Sequence, residues 1–160
     1  MYYTLKVNDV PDLSNNILKI NESEIVSAET KSNYIIFWNI NTFKEIKKID
    51  NIVCHWNRNS MNLINENTLF IGGDEYNGIY LIDAINYHLI SQIKLKKIVS
   101  ISTIIKLDNG NILIGCEKES KSKKENNSYT YCLREYKYNL NGKTLTKVRT
   151  NKNARTDIIT

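Results

Sequence analysis

The feature that most limits what this chain can fold into is a repeat, because repeats build one small unit several times over and bury their apolar faces by stacking the copies. The first copy reads NILKINESEIVSAETKSNYIIFWNINTFKEIKKI, from Asn16 to Ile49. The second reads SMNLINENTLFIGGDEYNGIYLIDAINYHLISQIKL, from Ser60 to Leu95. The third begins at Ser102 as STIIKLDNGNILIGCEK and resumes after an insertion as YTYCLREYKYNLNGKTLTKV, from Tyr129 to Val148. Ser27-Ala28, Gly72-Gly73 and Gly115-Cys116 align with offsets of 45 and 43, and Trp38-Asn39 aligns with Ile82-Asp83 at 44.

The second copy shows most plainly what one unit is. Leu69–Ile71 and Ile79–Ile82 are short runs of β-branched, aromatic and leucine residues, too short for a helix, and they read as strands. Gly72–Tyr76 and then Asn77-Gly78 lie between them, and Asn-Gly accepts the positive φ angles of a tight hairpin turn. Both runs are continuously apolar rather than alternating, so a further sheet is expected on each side of this hairpin. Adding the flanking runs gives four strands, at roughly 61–64, 68–72, 79–82 and 87–94. In copy one the turns fall at Asn21–Glu24, Lys31–Asn33 and Asn39–Thr42; in copy three they fall at Asp108–Asn111, at the insertion and at Asn139–Gly142. The only proline, Pro11, interrupts none of these strands. Units of about 40–45 residues with four strands match a β-propeller blade. The expected fold is all-β, a partial propeller of about three four-stranded antiparallel blades.

On these residues the chain resembles a degenerate stretch of a WD-repeat propeller. The likeness is carried by IVSA then IIFWN, by LFIGG then IYLID, and by ILIGC then the strand near CLREY. Trp38 matches the family's tryptophan position and Asp74 sits near its turn aspartate. No Gly-His pair opens a repeat, and the Trp-Asp dipeptide survives only as Trp38-Asn39 and Ile82-Asp83, so the family's buried Asp–His–Ser–Trp network is not carried over complete. The resemblance implies a non-catalytic protein-interaction scaffold that meets other proteins through its rim or top face.

The expected organisation is one segment: 1–15 as a remnant of a preceding blade or lead-in, 16–49 as blade one, 50–95 as blade two, 96–148 as blade three and 149–160 as the lead-in to a further blade. Closed propellers use about four to eight blades, so three blades imply a larger ring completed by the rest of the protein or by another copy. Tyr2–Val7 reads as a strand of an earlier blade, and Asp157-Ile158-Ile159 as the first strand of a later one. The insertion in blade three, 117–128, is EKESKSKKENNS, with both signs of charge and no apolar residue. It is expected to project as a mobile loop.

Chemistry-bearing motifs are sparse. Cys54-His55-Trp56 would place neighbours on opposite faces of a strand, with no second Cys/His pair to complete a metal site. His55 and His88 are the only histidines, and no Gly-x-Ser-x-Gly elbow accompanies them. Gly72-Gly73-Asp74 lacks the Gly-Lys-Ser/Thr of a phosphate loop. Asp74, Glu75 and Asp108 read as turn residues, since calcium requires six or more oxygens. No catalytic, cofactor-binding or metal-binding residue is assigned, and no cofactor is expected. The aromatics Tyr34, Phe37, Trp38, Tyr80, Tyr131 and Tyr136 recur in third strands and are assigned to the core between blades. Ile25, Val26, Phe37, Leu69, Ile71, Leu81, Ile112 and Ile114 are assigned to it as central inner-strand positions. The three cysteines, Cys54, Cys116 and Cys132, are read as reduced, mostly buried thiols.

The net charge of +5 comes almost wholly from lysine, arginine being confined to Arg58, Arg134, Arg149 and Arg155. Arginine is the side chain that phosphate and base readout favour, so nucleic acid is not the expected partner. Isoleucine, asparagine, lysine and tyrosine make up 75 of the 160 residues, a bias toward A/T-rich codons that accounts for the lysine and weakens any single asparagine as a signal. Lys44, Lys47, Lys48, Lys94, Lys96, Lys97, Lys143 and Lys147 are placed on fourth strands, where lysine blocks edge-to-edge pairing. The N-terminal sequence MYYTLKVNDV has no basic region followed by a long apolar one, so the expectation is an intracellular, cytoplasmic protein with no membrane span. Two rival readings remain: a propeller-supported hydrolase or lyase, and a lysine-edged reader of nucleic acid or acidic phospholipid.

Overall fold

The computed structural model describes residues 16–28, 33–53, 60–73, 78–119, 129–139, 141 and 144–151. They form twelve strands and no helix. The first four are β1 (Asn16–Lys19), β2 (Glu24–Ala28), β3 (Tyr34–Asn39) and β4 (Lys44–Asp50), and the next four are β5 (Met61–Asn65), β6 (Thr68–Gly72), β7 (Ile79–Asp83) and β8 (His88–Ile93). The last four are β9 (Ile98–Lys106), β10 (Ile112–Glu119), β11 (Tyr129–Asn139) and β12 (Thr144–Asn151). Each set of four is one antiparallel sheet whose strands lie in chain order. The repeat therefore does set the architecture: all-β, three four-stranded blades.

The same local chemistry closes the same turns in each sheet. In the first hairpins Asn21, Asn65 and Asn109 each turn their side-chain oxygen onto the backbone N–H two residues ahead. In the last hairpins Asn39, Asp83 and Asn139 do likewise. These are Asx turns, which supply a hydrogen bond that the reversing backbone cannot make for itself. A second mark recurs in the pairing of third with fourth strands: a bulge between Phe37 and Trp38, between Leu81 and Ile82, and between Glu135 and Tyr136. The bulges align Phe37 with Leu81 and Glu135. Ala28 and Gly72 both end the second strand of their sheet, which makes the offset there 44 rather than 45.

The sheets stack as a fan. β1 touches β5 and β5 touches β9, so first strands lie side by side while fourth strands point away. Asn62 Nδ2 donates to the Ile104 carbonyl at 3.1 Å, and Ile101 N–H donates to the Gly73 carbonyl at 3.1 Å, tying the second sheet to the third. Tyr87 Oη donates to Glu24 at 2.9 Å across the first pair. Two apolar layers fill the gaps. Val26, Ala28, Ile35 and Phe37 meet Leu69, Ile71, Tyr80 and Ile82 in one; Phe70, Ile79 and Leu81 meet Ile101, Ile104, Ile112 and Ile114 in the other. Alternate residues of β6 and β7 thus face opposite neighbours, which is why those runs are continuously apolar.

Several expectations need correction. Ile25 is only half-buried, on the side of the first sheet that faces away from the second. Tyr34 and Trp38 are half-buried on that same outward side rather than in the core between sheets, and Tyr131 is 45% exposed on the outward side of the third sheet. Lys94, Lys96 and Lys97 follow β8 rather than lying in it, because that strand ends at Ile93. β10 continues through Glu117, Lys118 and Glu119, which pair with Tyr131, Thr130 and Tyr129, so the hairpin extends beyond the point where the insertion was placed. The third sheet likewise starts at Ile98 and ends at Asn151. Tyr2–Val7, Cys54-His55-Trp56, Asp74, Glu75, Lys143 and Asp157-Ile158-Ile159 lie outside the described residues.

Candidate functional site

The side of the third sheet that faces away from the second holds a concavity of about 410 Å³, lined by Leu113, Leu133, Glu135, Arg149 and Thr150. Leu113 of β10 pairs with Glu135 of β11, and Glu135 pairs with Arg149 of β12, so one cross-strand row carries the site. Side chains alternate across a strand, which puts Leu133 and Tyr131 on the face of Glu135, and Ile105, the partner of Leu113, beside them. Glu135 is only 3% exposed. Asn111 Nδ2 donates to its Oε1 at 2.7 Å, and Arg149 Nε donates to its Oε2. Those two donors, Asn111 foremost, outweigh burial and hold the carboxyl below its ordinary value, so it is ionised at neutral pH. The Arg149 side chain is largely exposed, which leaves its outer face toward solvent.

The repeat gives this glutamate its meaning. Phe37 opposite Val26, and Leu81 opposite Phe70, occupy the equivalent position in the first two sheets, and both are fully buried against the next sheet. Where they present an apolar ring or an isobutyl group, the third sheet presents an ion pair rimmed by leucine. Such a surface can seat a partner by an apolar contact with one charged anchor.

The opposite end of the fan has its own open side. Ile17, Ser27, Ile36 and Lys48 form one row there, next to Ile25 and Trp38. Trp38 Nε1 donates to Ser27 Oγ at 2.8 Å, and Lys48 Nζ lies 3.9 Å from the centre of the Tyr34 ring. Ile17 is 62% exposed.

The other sequence candidates stay apart. His88 is exposed at the start of β8 opposite Asp83, and Asp108 is exposed in the first turn of the third sheet. Among the described residues no three His, Cys, Asp or Glu side chains come together to hold a metal, and no helix is long and apolar enough to cross a membrane. Glu135 escaped the sequence reading because the insertion hides its alignment with Phe37 and Leu81. The signal available was the charged pair Arg134-Glu135 in the strand CLREY, at the place where the other copies are apolar.

No family model and no curated protein matches the sequence. Among solved structures the fold is similar to the crystal structure of the tricorn protease, a propeller-containing protein, with a TM-score of 0.58 at 12% identity over 86% of this chain. The chain spans 13% of that protein's length, and the likeness is one of fold.

Proposed function

We propose that this chain is a non-catalytic interaction scaffold of the WD-repeat kind, binding other proteins through the outward faces of its first and third sheets. The observation that carries the proposal is the apolar character of those faces: Ile17 is 62% exposed on one, and Ile105 and Tyr131 are 44% and 45% exposed on the other, around the Glu135–Arg149 pair. Exposed apolar groups gathered beside a charged anchor mark a surface that gains by being covered. The Trp38–Ser27 hydrogen bond supports the WD-like reading, since it joins two residue types of that family's network. Further sheets of the same architecture, from a longer chain or another copy, are among the partners such faces accept.

The test is capture of partners by the chain at rising salt, repeated with Ile17→Lys and Ile105→Lys. Capture that survives high salt and fails in either variant is the expected result. Binding that falls steeply with salt and ignores both substitutions would instead establish the lysine-edged reader. The likeness to a protease keeps the propeller-supported enzyme as the second reading. Peptide cleavage by the purified chain would establish it in place of the scaffold.

A further inference from the structure

Cys116 and Cys132 are directly opposed on β10 and β11, with their sulfurs 2.8 Å apart. Both are free thiols, 1% and 4% exposed, in the layer between the second and third sheets. Facing residues of an antiparallel pair have Cα atoms about 4.5–5.5 Å apart, inside the roughly 4.4–6.8 Å range a disulfide spans. Closing the sulfur gap to the covalent length of about 2.05 Å takes less than an ångström of movement, within reach of side-chain rotation on a fixed backbone. We propose that Cys116 and Cys132 form a dithiol site that peroxide oxidises reversibly to a cross-strand disulfide.

The surroundings favour it. One thiol of the pair hydrogen-bonds the other, so the pair loses its first proton below the ordinary thiol value and the second above it, with Arg134 and Lys118 adding positive charge. The thiolate is the reactive form. The two cysteines are 1% and 4% exposed, and hydrogen peroxide, nearly as small as water, is the oxidant that reaches such a site most readily. In the first step the Cys132 thiolate attacks one peroxide oxygen, the O–O bond breaks, and the departing oxygen leaves as water after taking a proton. In the second the Cys116 sulfur attacks the Cys132 sulfenic acid, the S–O bond breaks, and hydroxide leaves with the Cys116 proton as a second water. Two thiols lose two electrons and two protons, and one peroxide becomes two waters. The bridge would close a loop from 116 to 132 that contains the insertion, raising the thermal midpoint of the oxidised chain.

The experiment treats the reduced full chain, and its Cys54→Ala variant, with hydrogen peroxide, then alkylates residual thiols and reads intact mass and peptide maps. The expected outcome is a loss of two hydrogens, a linked peptide joining Cys116 and Cys132, and full reversal by dithiothreitol. In Cys116→Ala the second step has no nucleophile, so a Cys132 sulfenic acid is trapped by dimedone. Oxidised chain that melts with the reduced form, thiols that both still alkylate after excess peroxide, or oxidation to sulfinic acid without a linked peptide would overturn the proposal.

Discussion

The second sheet and the two that flank it are built from the same repeat and differ in how many neighbours they have. Every residue of β6 is buried, and β7 is buried as far as Ile82. β2, at the equivalent place in the first sheet, buries only Val26 and Ala28, which face the second sheet. In β6 a continuously apolar run goes with two covered faces, and in β2 an alternating one goes with one. The flanking sheets then diverge from each other. The first keeps apolar residues on its outward side, while the third puts an ion pair where its siblings have Phe37 and Leu81.

The sharpest way to break this comparison is to empty a site in the layer between the second and third sheets. Leu81 is fully buried, so Leu81→Ala should cost about 2–5 kcal/mol in chemical denaturation, the usual range for a packed leucine. Ile17→Ala, on the outward face of the first sheet, should stay within about 0.5 kcal/mol, as surface changes do. Equal losses at the two positions would mean that the first sheet is covered on both sides like the second.

Glycine gives the next contrast. A Cβ on Gly72 would lie 2.7 Å from Ile101 Cγ2 and 2.8 Å from the Ile101 carbonyl oxygen, which belongs to the neighbouring sheet. Because that oxygen is backbone, relief requires the two sheets to part, and Gly72→Ala should cost about 1–3 kcal/mol. At the aligned Gly115 the nearest atom is Thr103 Cγ2 at 3.2 Å, within the same sheet, and a rotating side chain can yield. Gly115→Ala should therefore cost less, under about 1 kcal/mol by the same overpacking argument. Denaturation midpoints of the two variants side by side decide it.

Most of the fold was legible in the sequence because apolar strand runs and the turn clusters between them are local signals that survive composition bias. The codon bias that discounts asparagine hid a real pattern: Asn21, Asn65 and Asn109 do the same job in three sheets. What was not legible depends on partners in space. Ile25 and Tyr131 look like core residues until it is known that no other described sheet packs on their face. Glu135 and the cysteine pair are set by the register of β10 against β11, and the insertion between those strands hides that register from any alignment of the copies.

The Glu135 pair can be sharpened by pH. Its folded-state value lies below the ordinary 4.5, so its contribution is complete above that value and is lost as the pH falls through the lowered one. Thermal midpoints should drop on acidification below about 4.5, and Glu135→Gln should flatten part of that drop. Some slope should remain, because Asp83 is also lowered: burial opposes its charge, and hydrogen bonds from Asn86 and Ile85 more than offset it. An unchanged slope in Glu135→Gln would show that the carboxylate adds nothing to folding.

The smallest effect is expected at the insertion, and it bears on whether the third sheet differs from the others by more than its outward face. Glu119, the last residue of β10, pairs with Tyr129, the first of β11, so replacing 120–128 by Asn-Gly leaves two residues to close a hairpin between opposed positions. Asn-Gly suits that turn because both of its residues accept positive φ. Shortening the connection from nine residues to two is about two halvings, and each halving recovers roughly 0.6 kcal/mol of loop-closure entropy. The shortened chain should therefore be as stable as the parent or about 1 kcal/mol more stable, with β10 and β11 unchanged in register. A loss of stability would mean that the insertion is part of the third sheet's packing, and the open face would have to be redrawn to include it.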